Sequence, residues 1–291
     1  MIRVEQVGLI KKFLLGRALL GRGLYFTSAF WVDGLLVDTG CAHTVSELVE
    51  ALRDVPVMRI VNTHSHEDHV AANAALQEKY GADVLAHPLA LPVLASPEKQ
   101  RLRPYQLVMW GRPAPSIGTA IGDVVETEHY RFEVIHTPGH SRDHVCLYER
   151  NRGWLFTGDL YVGGKDRALR ADYNVWEIME SLKQIAALDS EVLFPGSGTI
   201  REKPRTELLN KIAYLEDMGG RVLGLHQKGW SRRRIRRTLF GRELQIAYIT
   251  LGHFSGRNLV RSYIEDVPCR TGEALAQFKS RTATSIENAE L

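Results

Sequence analysis

Residues 58–70 read MRIVNTHSHEDHV, an apolar run that ends in a loop carrying three histidines and two acids. The run is short, β-branched and not alternating, which predicts a buried strand. Loops leaving such strands are where α/β folds collect ligand sites. In an extended segment His64 and His66 project to one side, with Asp68 and His69 near enough to face the same cavity. Three of the chain's 11 histidines fall here, a density that fits a metal site and not a solvated turn. Imidazole with carboxylate suits Zn²⁺, Fe²⁺ or Mn²⁺ better than Mg²⁺ or Ca²⁺.

Two later stretches share the strand-then-loop setting. VIHTPGHSRDHV places His140 after a strand and a glycine, with His144 close by, and LFTGDLYV places Asp159 at another apolar strand end. A carboxylate buried there is costly without a cation, so Asp159 fits a ligand bridging two metals. Residues 24–200 otherwise alternate short β-branched runs, helical stretches and glycine turns, the pattern of an α/β layer fold. AFWVDGLLVDTG predicts a hairpin turning at Asp33-Gly34. TVSELVEALRDV and AANAALQEKYG predict helices, the second stopped by Gly81. ADVLAHP, RFEVIHT, HVCLYER, GWLFTGD and EVLFPG predict strands, and NVWEIMESLKQIAALD a further helix. The proline-rich segment 88–122 has no clean period and predicts an insertion of the kind that forms a lid or pocket wall.

The series THSHEDH, TPGH, FTGD and FPGSG, with LLVDTG upstream, resembles the metallo-β-lactamase fold superfamily over roughly residues 23–200. The resemblance implies a four-layer αββα sandwich occupying residues 1–204, with a metal centre at one edge of its two sheets. It implies that His64, His66 and His140 form one metal site and that Asp68 and His69 form a second, with Asp159 bridging. Asp38 matches the family's structural aspartate beside the site. The activity implied is metal-dependent hydrolysis, in which a metal-bound hydroxide attacks a small ester, thioester or lactone and Asp68 orients the nucleophile. The TPGHS and DTG wording is similar to the glyoxalase II-like and lactonase branches more than to true β-lactamases.

One position departs from that pattern. The hydrolytic branches carry a PGHG-like motif where this chain has Pro195-Gly196-Ser197-Gly198. A serine hydroxyl is a poor Zn²⁺ ligand, yet three protein ligands remain for the second metal, the count of open catalytic sites. Two Zn²⁺ ions, the second weakly held, is the resulting expectation. A single-metal centre would instead resemble the iron-dependent persulfide dioxygenases of the same superfamily.

With 44% hydrophobic and 24% charged residues, 291 residues suffice for one large domain or a domain plus an appendage. No run reaches the roughly 18 apolar residues of a membrane span, so no membrane partner is expected. In LIKKFLLGRALLGRG, Arg17 interrupts the apolar core of what could otherwise pass for a leader. Cys41, Cys146 and Cys269 are odd in number and widely spaced, which argues for a reducing, cytoplasmic setting.

The net charge of +3 conceals a segment, Arg221 to Arg242, with eight basic residues and no acid, so the rest carries 3 − 8 = −5. It lies in a helical extension, residues 205–291, similar to the helical or winged-helix extensions of some superfamily members, including an endoribonuclease branch. Ser231 caps and Gly241 stops the helix SRRRIRRTLFG, and SGRNLVRSYIED starts on another capping serine. Arginines 232–237 could anchor phosphates, giving a nucleic-acid-processing or nucleic-acid-binding alternative. The other reading packs the basic helix on the catalytic domain or on a second subunit of a homodimer. Candidate lining residues for a small-molecule pocket are Tyr105, Trp110, Arg112, Tyr161 and Tyr173. The last 20 or so residues are polar and read as a disordered tail.

Overall fold

The computed structural model describes residues 1–19 and 22–267. The chain divides into two compact units, Met1–Val162 with Leu188–Pro204, and Gly163–Ala187 with Arg205–Leu291. Cys269 and the polar C-terminal stretch lie outside the described residues.

In the first unit, β1 (Ile2–Val7), β2 (Ile10–Leu19), β3 (Arg22–Val32) and β4 (Leu35–Val37) run antiparallel in sequence order. The stretch weighed above as a leader is therefore strand β2, with Phe13 and Leu15 in the core. Asp33 (φ 50°) and Gly34 (φ 80°) make the two-residue turn between β3 and β4, the doubly left-handed geometry that a tight hairpin demands. β5 (Arg59–Val61), β6 (Asp83–Ala86) and β7 (Gly118–Ala120) extend the sheet in parallel. The crossovers carry α1 (Val45–Ala51) and α2 (Asn73–Tyr80), and Gly81 closes α2 in the left-handed conformation at φ 64°.

The segment 88–122 holds more regular structure than its period suggests. It contains α3 (Leu91–Ala95) and α4 (Pro104–Met109), each with proline at its first or second position, and it ends in β7. Proline there gives up a donor the helix does not need. Helices of five and six residues are too short to display a 3.6-residue repeat.

The second sheet has the order β13-β11-β10-β9-β8, formed by β8 (Val124–Glu126), β9 (Arg131–His136), β10 (Val145–Glu149), β11 (Trp154–Gly158) and β13 (Val192–Pro195). Alternation along β4 shows how the layers stack. Leu36 packs with Leu48 of α1, Leu52 just beyond it, Leu76 of α2 and Ile60 and Val84 of the sheet. Leu35 and Val37 face the other way, to Phe132, Leu147, Phe156 and Phe194 of the second sheet. Phe156 and Phe194 stack at 4.9 Å with Phe30 edge-on to both at 5.5 Å, each pair contributing about 0.5–1.5 kcal/mol beyond area burial.

The second unit contains β12 (Leu169–Arg170), α5 (Val175–Ala186), α6 (Pro204–Gln227), α7 (Arg232–Phe240), α8 (Gln245–Ile249), β14 (Phe254–Ser255) and α9 (Gly256–Glu265), with β12 and β14 paired antiparallel. Buried Lys211 of α6 binds Asp166 at 2.8 Å and the carbonyl of Gly164 at 3.1 Å. Ser262 of α9 accepts from the Val175 amide at 3.0 Å. These bonds tie Gly163–Ala187 to the C-terminal helices, a grouping that a boundary at residue 204 does not capture. Ser231 caps α7 by accepting from the Arg234 amide at 3.4 Å, and Gly241 ends it at φ 69°. Among the described residues no helix is long and apolar enough to cross a membrane.

Candidate metal centre

Strand β5 delivers the chain into a loop that is buried from Asn62 to Ala72, so each polar group in it needs a partner. Asp38, just beyond β4 and itself left-handed at φ 60°, supplies several. Its Oδ1 accepts from the Thr63 amide at 2.8 Å, and its Oδ2 accepts from the Thr63 hydroxyl and from His69 Nδ1, each at 2.8 Å. A non-glycine residue in that region costs about 1–3 kcal/mol, a strain the surrounding bonds hold in place. The His69 carbonyl accepts from the Thr39 amide at 2.7 Å, and Thr27 of β3 donates to the Asp68 carbonyl at 3.1 Å. From the second sheet, Asp143 accepts from the Ser65 amide at 2.9 Å.

This frame gathers the imidazoles. The His64 ring centroid lies 4.5 Å from His66, 4.2 Å from His69 and 4.8 Å from His140. Possible ligand atoms of His64, His66 and His140 all lie within 4.8 Å of one another, and the same holds for His64, His69 and Asp159. Asp159, one residue past β11, reaches His69 Nε2 at 3.6 Å and His140 Nε2 at 3.7 Å, and Asp68 Oδ2 is 3.8 Å from His69 Nε2. Asp68 thus adjoins the second group through His69.

Hydrogen bonding fixes which nitrogens point inward. The Thr63 hydroxyl gives its proton to Asp38, so it can only accept from His64 Nδ1, 3.0 Å away. A neutral His64 then presents Nε2 as a lone pair, and His69, donating from Nδ1, would do likewise on giving up its Nε2 proton to a metal. Both Nε2 atoms are buried and, among the described residues, have no hydrogen-bond partner. Two orphaned imidazole nitrogens facing carboxylates are the donor set of a divalent transition-metal site, and the residues present fit one.

The protonation pattern follows from burial and mutual charge. Burial and the neighbouring histidines push His64 well below its ordinary value. Burial opposes charge on His69 too, yet Asp38, Asp159 and Asp68 overcome it and raise it well above. Burial lifts Asp68 to about 7, with His69 opposing it and repulsion from Glu67 and Asp159 adding to it. Asp159 is held well below the carboxylate range: His69, His140 and His144 together exceed the desolvation that would raise it.

The other sequence-derived candidates divide. His144 is buried beside the cluster, 5.2 Å from His64 by ring centroid. It shares a 2.8 Å hydrogen bond with Thr137 through Nδ1. Its Nε2 abuts Gly158, where a Cβ would come within 2.8 Å, so it packs behind the ligands. Ser197 is half-buried and follows Gly196, whose added Cβ would lie 2.2 Å from Asp159 Oδ1. Trp110 packs edge-on to Tyr105 at 6.1 Å. Arg112 is spent on the carbonyls of Pro97 and Gln100. Tyr161 is buried in the first unit. Tyr173 packs within the second unit against Phe254 at 6.0 Å, under Arg170.

Three contributors escape a reading of the sequence. Tyr25 stacks edge-on against Trp110 at 5.6 Å and leaves 44% of its surface to solvent. Burial of its hydroxyl, with the charges of Asp159 and Asp68, raises its pKa well above the ordinary value. On β3 it shares a face with Thr27, the residue bonded to the Asp68 carbonyl. Gln106 of α4 donates to buried Glu67 at 2.8 Å, tying the insertion to the metal loop. Asp143 is the third, through Ser65.

Comparison with known proteins agrees with this geometry. The family model of the metallo-beta-lactamase superfamily matches residues 22–197. A hydroxyacylglutathione hydrolase from Pelagibacter ubique is 30% identical over 156 residues, covering 53% of this chain and 56% of that protein. The hydroxyacylglutathione hydrolase GloC of Haemophilus influenzae is 26% identical over 206 residues, covering 63% of this chain and 92% of that protein. The chain spans about half the length of several of the curated relatives it matches. A crystal structure of a metallo-beta-lactamase family protein from Thermus thermophilus superposes with a TM-score of 0.65 at 19% identity, over 88% of this chain and 92% of that one, and so shares the fold. Fold, buried histidine–aspartate cluster and a family match spanning the motifs lead to one assignment: the chain belongs to the metallo-beta-lactamase superfamily.

Proposed function

We propose that this protein is a metal-dependent hydrolase of the glyoxalase II-like kind, acting on a small thioester, with esters and lactones as related substrates. The observation that carries the reading is the buried cluster of His64, His66, His69, His140 and Asp159 with its orphaned Nε2 atoms. Its relatives named hydroxyacylglutathione hydrolases favour a thioester. In this reading His64, His66 and His140 would hold one ion, and Asp68, His69 and Asp159 would hold a second. Bound there, Zn²⁺ supplies Lewis acidity toward a carbonyl oxygen and makes water acidic near neutral pH.

The chain's own groups do the rest. Asp38 fixes His69 from behind and Asp143 fixes the Ser65 amide, which holds the loop rigid. Asp68, 3.8 Å from His69 Nε2, would orient the attacking water. The aromatic wall of Tyr25, Trp110 and Tyr105 offers apolar surface to the acyl group.

The test is a panel of thioesters, lactones and phosphodiesters, assayed on protein reconstituted with Zn²⁺, Mn²⁺ or Fe²⁺, together with metal analysis. About two zinc ions per chain with thioester cleavage is expected. His66→Ala should abolish the activity and Ser197→Ala change it modestly. One iron per chain with no hydrolysis of any member would overturn the reading.

A further inference from the structure

The arginines of α7 fall into two sets. Arg232 pairs with Glu265, Arg234 lies over the Trp230 ring at 3.7 Å, and Arg236 reaches Glu243 at 3.4 Å and the Gly241 carbonyl at 2.8 Å. Arg233, Arg237 and Arg242 are exposed and have no hydrogen bond or ion pair among the described residues. Glu243, the nearby acid, is already engaged: one oxygen meets Arg236 and the other accepts from the Gly256 amide at 2.9 Å. Three exposed arginines thus lie on α7 and the turn after it with no ion pair of their own among the described residues.

Arg237 and Arg242 share a shallow, open recess, and Arg233 lies outside its lining. Arg236, Arg237, Gly241, Arg242, Glu243 and Tyr248 line an open cavity of about 520 Å³, and Tyr248 leaves 71% of its surface exposed there. Arg233 stands one helical turn from Arg237, about 6 Å along the axis, a step similar to that between successive phosphates of an extended single strand. Unpaired arginines tracking a backbone, beside an aromatic face for a base, are the elements of a single-strand binding surface.

We propose that this face of the second unit binds single-stranded nucleic acid, with Arg233, Arg237 and Arg242 on phosphates and a base against Tyr248. A free nucleotide would fill the cavity and leave Arg233 without a phosphate. An anionic membrane would use the exposed Ile249 (64%) and Leu251 (85%), but it makes no use of the Arg233–Arg237 step or of the Tyr248 face. The chain's own residues 268–291 carry three acids and three bases, so they supply no net charge to match. The site is independent of the hydrolase reading, and the two stand or fall by different assays.

The experiment is fluorescence anisotropy of the full chain with a fluorescein-labelled 20-nucleotide oligouridylate at 50 and 200 mM NaCl. Three phosphate contacts should weaken binding about 20-fold across that salt step. Arg237→Glu with Arg242→Glu should weaken it at least about tenfold, and Arg237→Lys only slightly. Tyr248→Ala should reduce affinity and leave the salt slope unchanged, because stacking is uncharged. Circular dichroism and unchanged thioester hydrolysis would establish that these surface variants fold. Equal binding by the double glutamate variant would overturn the proposal. So would ADP binding as tightly as the oligomer, or phosphatidylserine vesicles capturing the protein through these arginines while the oligomer does not.

Discussion

His69 donates from Nδ1 to Asp38 Oδ2 at 2.8 Å, and the same oxygen takes the Thr63 hydroxyl proton at 2.8 Å. One carboxylate therefore sets the direction of His69 directly and of His64 through Thr63. Asp38→Asn keeps the shape and tolerates the left-handed backbone, but it removes the charge and one acceptor. Removing such a partner typically costs 10–100-fold in metal affinity, and a fall of that size is expected in competition with a chelator. Wild-type affinity in the variant would show that the imidazoles need no support from Asp38.

Gly196→Ala should disrupt the centre, because the new Cβ would sit 2.2 Å from Asp159 Oδ1 with the Gly158 backbone at 3.1 Å. Metal content and thioester turnover should both fall by more than about tenfold, since Asp159 must move. Gly224→Ala in α6 is the control: nothing lies within 4 Å of its added Cβ. Removing a helical glycine there should stabilise by up to about 1 kcal/mol. A Gly196→Ala protein with full metal and activity would mean that the loop yields more readily than its packing indicates.

The candidate metal cluster was legible in the sequence because few side chains can hold a metal and a strand end must deliver them. His64, His66, His140 and Asp159 each follow an apolar run, and the Asp33-Gly34 turn is written in residue types that tolerate positive φ. What supports the ligands was not legible, because it acts across the chain. Asp143 bonds an amide 78 residues away and Gln106 a carboxylate 39 residues away, spacings with no periodic signature. Tyr25 reads as one more β-strand aromatic until β3 is seen beside the metal loop. Tyr173 has equal aromatic character, yet it packs within the second unit, and Arg112 turned inward to backbone carbonyls.

Acid should weaken the metal-free protein through His144. Burial drops this histidine from 6.5 to about 4, so it is neutral in the fold. As pH falls through 6.5 the unfolded chain takes up a proton that the folded chain refuses until about 4. Its contribution is therefore complete above that window and lost on the way down, to an upper bound of about 3 kcal/mol. Urea unfolding at pH 7 and pH 5, wild type against His144→Asn, checks this. A difference between the two proteins that does not change with pH would remove His144 as the cause.

Cys41 and Cys146 are buried, and burial pushes the Cys146 thiol up to about 12 and raises Cys41. At pH 8 almost no Cys146 thiolate exists, and the thiolate is the reactive form. In a Cys269→Ser variant, a disulfide-exchange reagent should find no thiol in the native protein and two after denaturation in guanidinium. Rapid modification of one thiol in the native state would place Cys41 or Cys146 nearer the surface than this fold has it.

Glu67 lies between two candidate ligands, is almost fully buried, and has Gln106 as its hydrogen-bond donor. Segment 88–122 and the metal loop are therefore not interchangeable parts. A chimera that imports this segment from a relative without a donor at the position of Gln106 would strand a carboxylate in the interior beside the histidine cluster. Redesign of specificity has to treat Glu67 and Gln106 as one inherited unit, exchanged together or left alone.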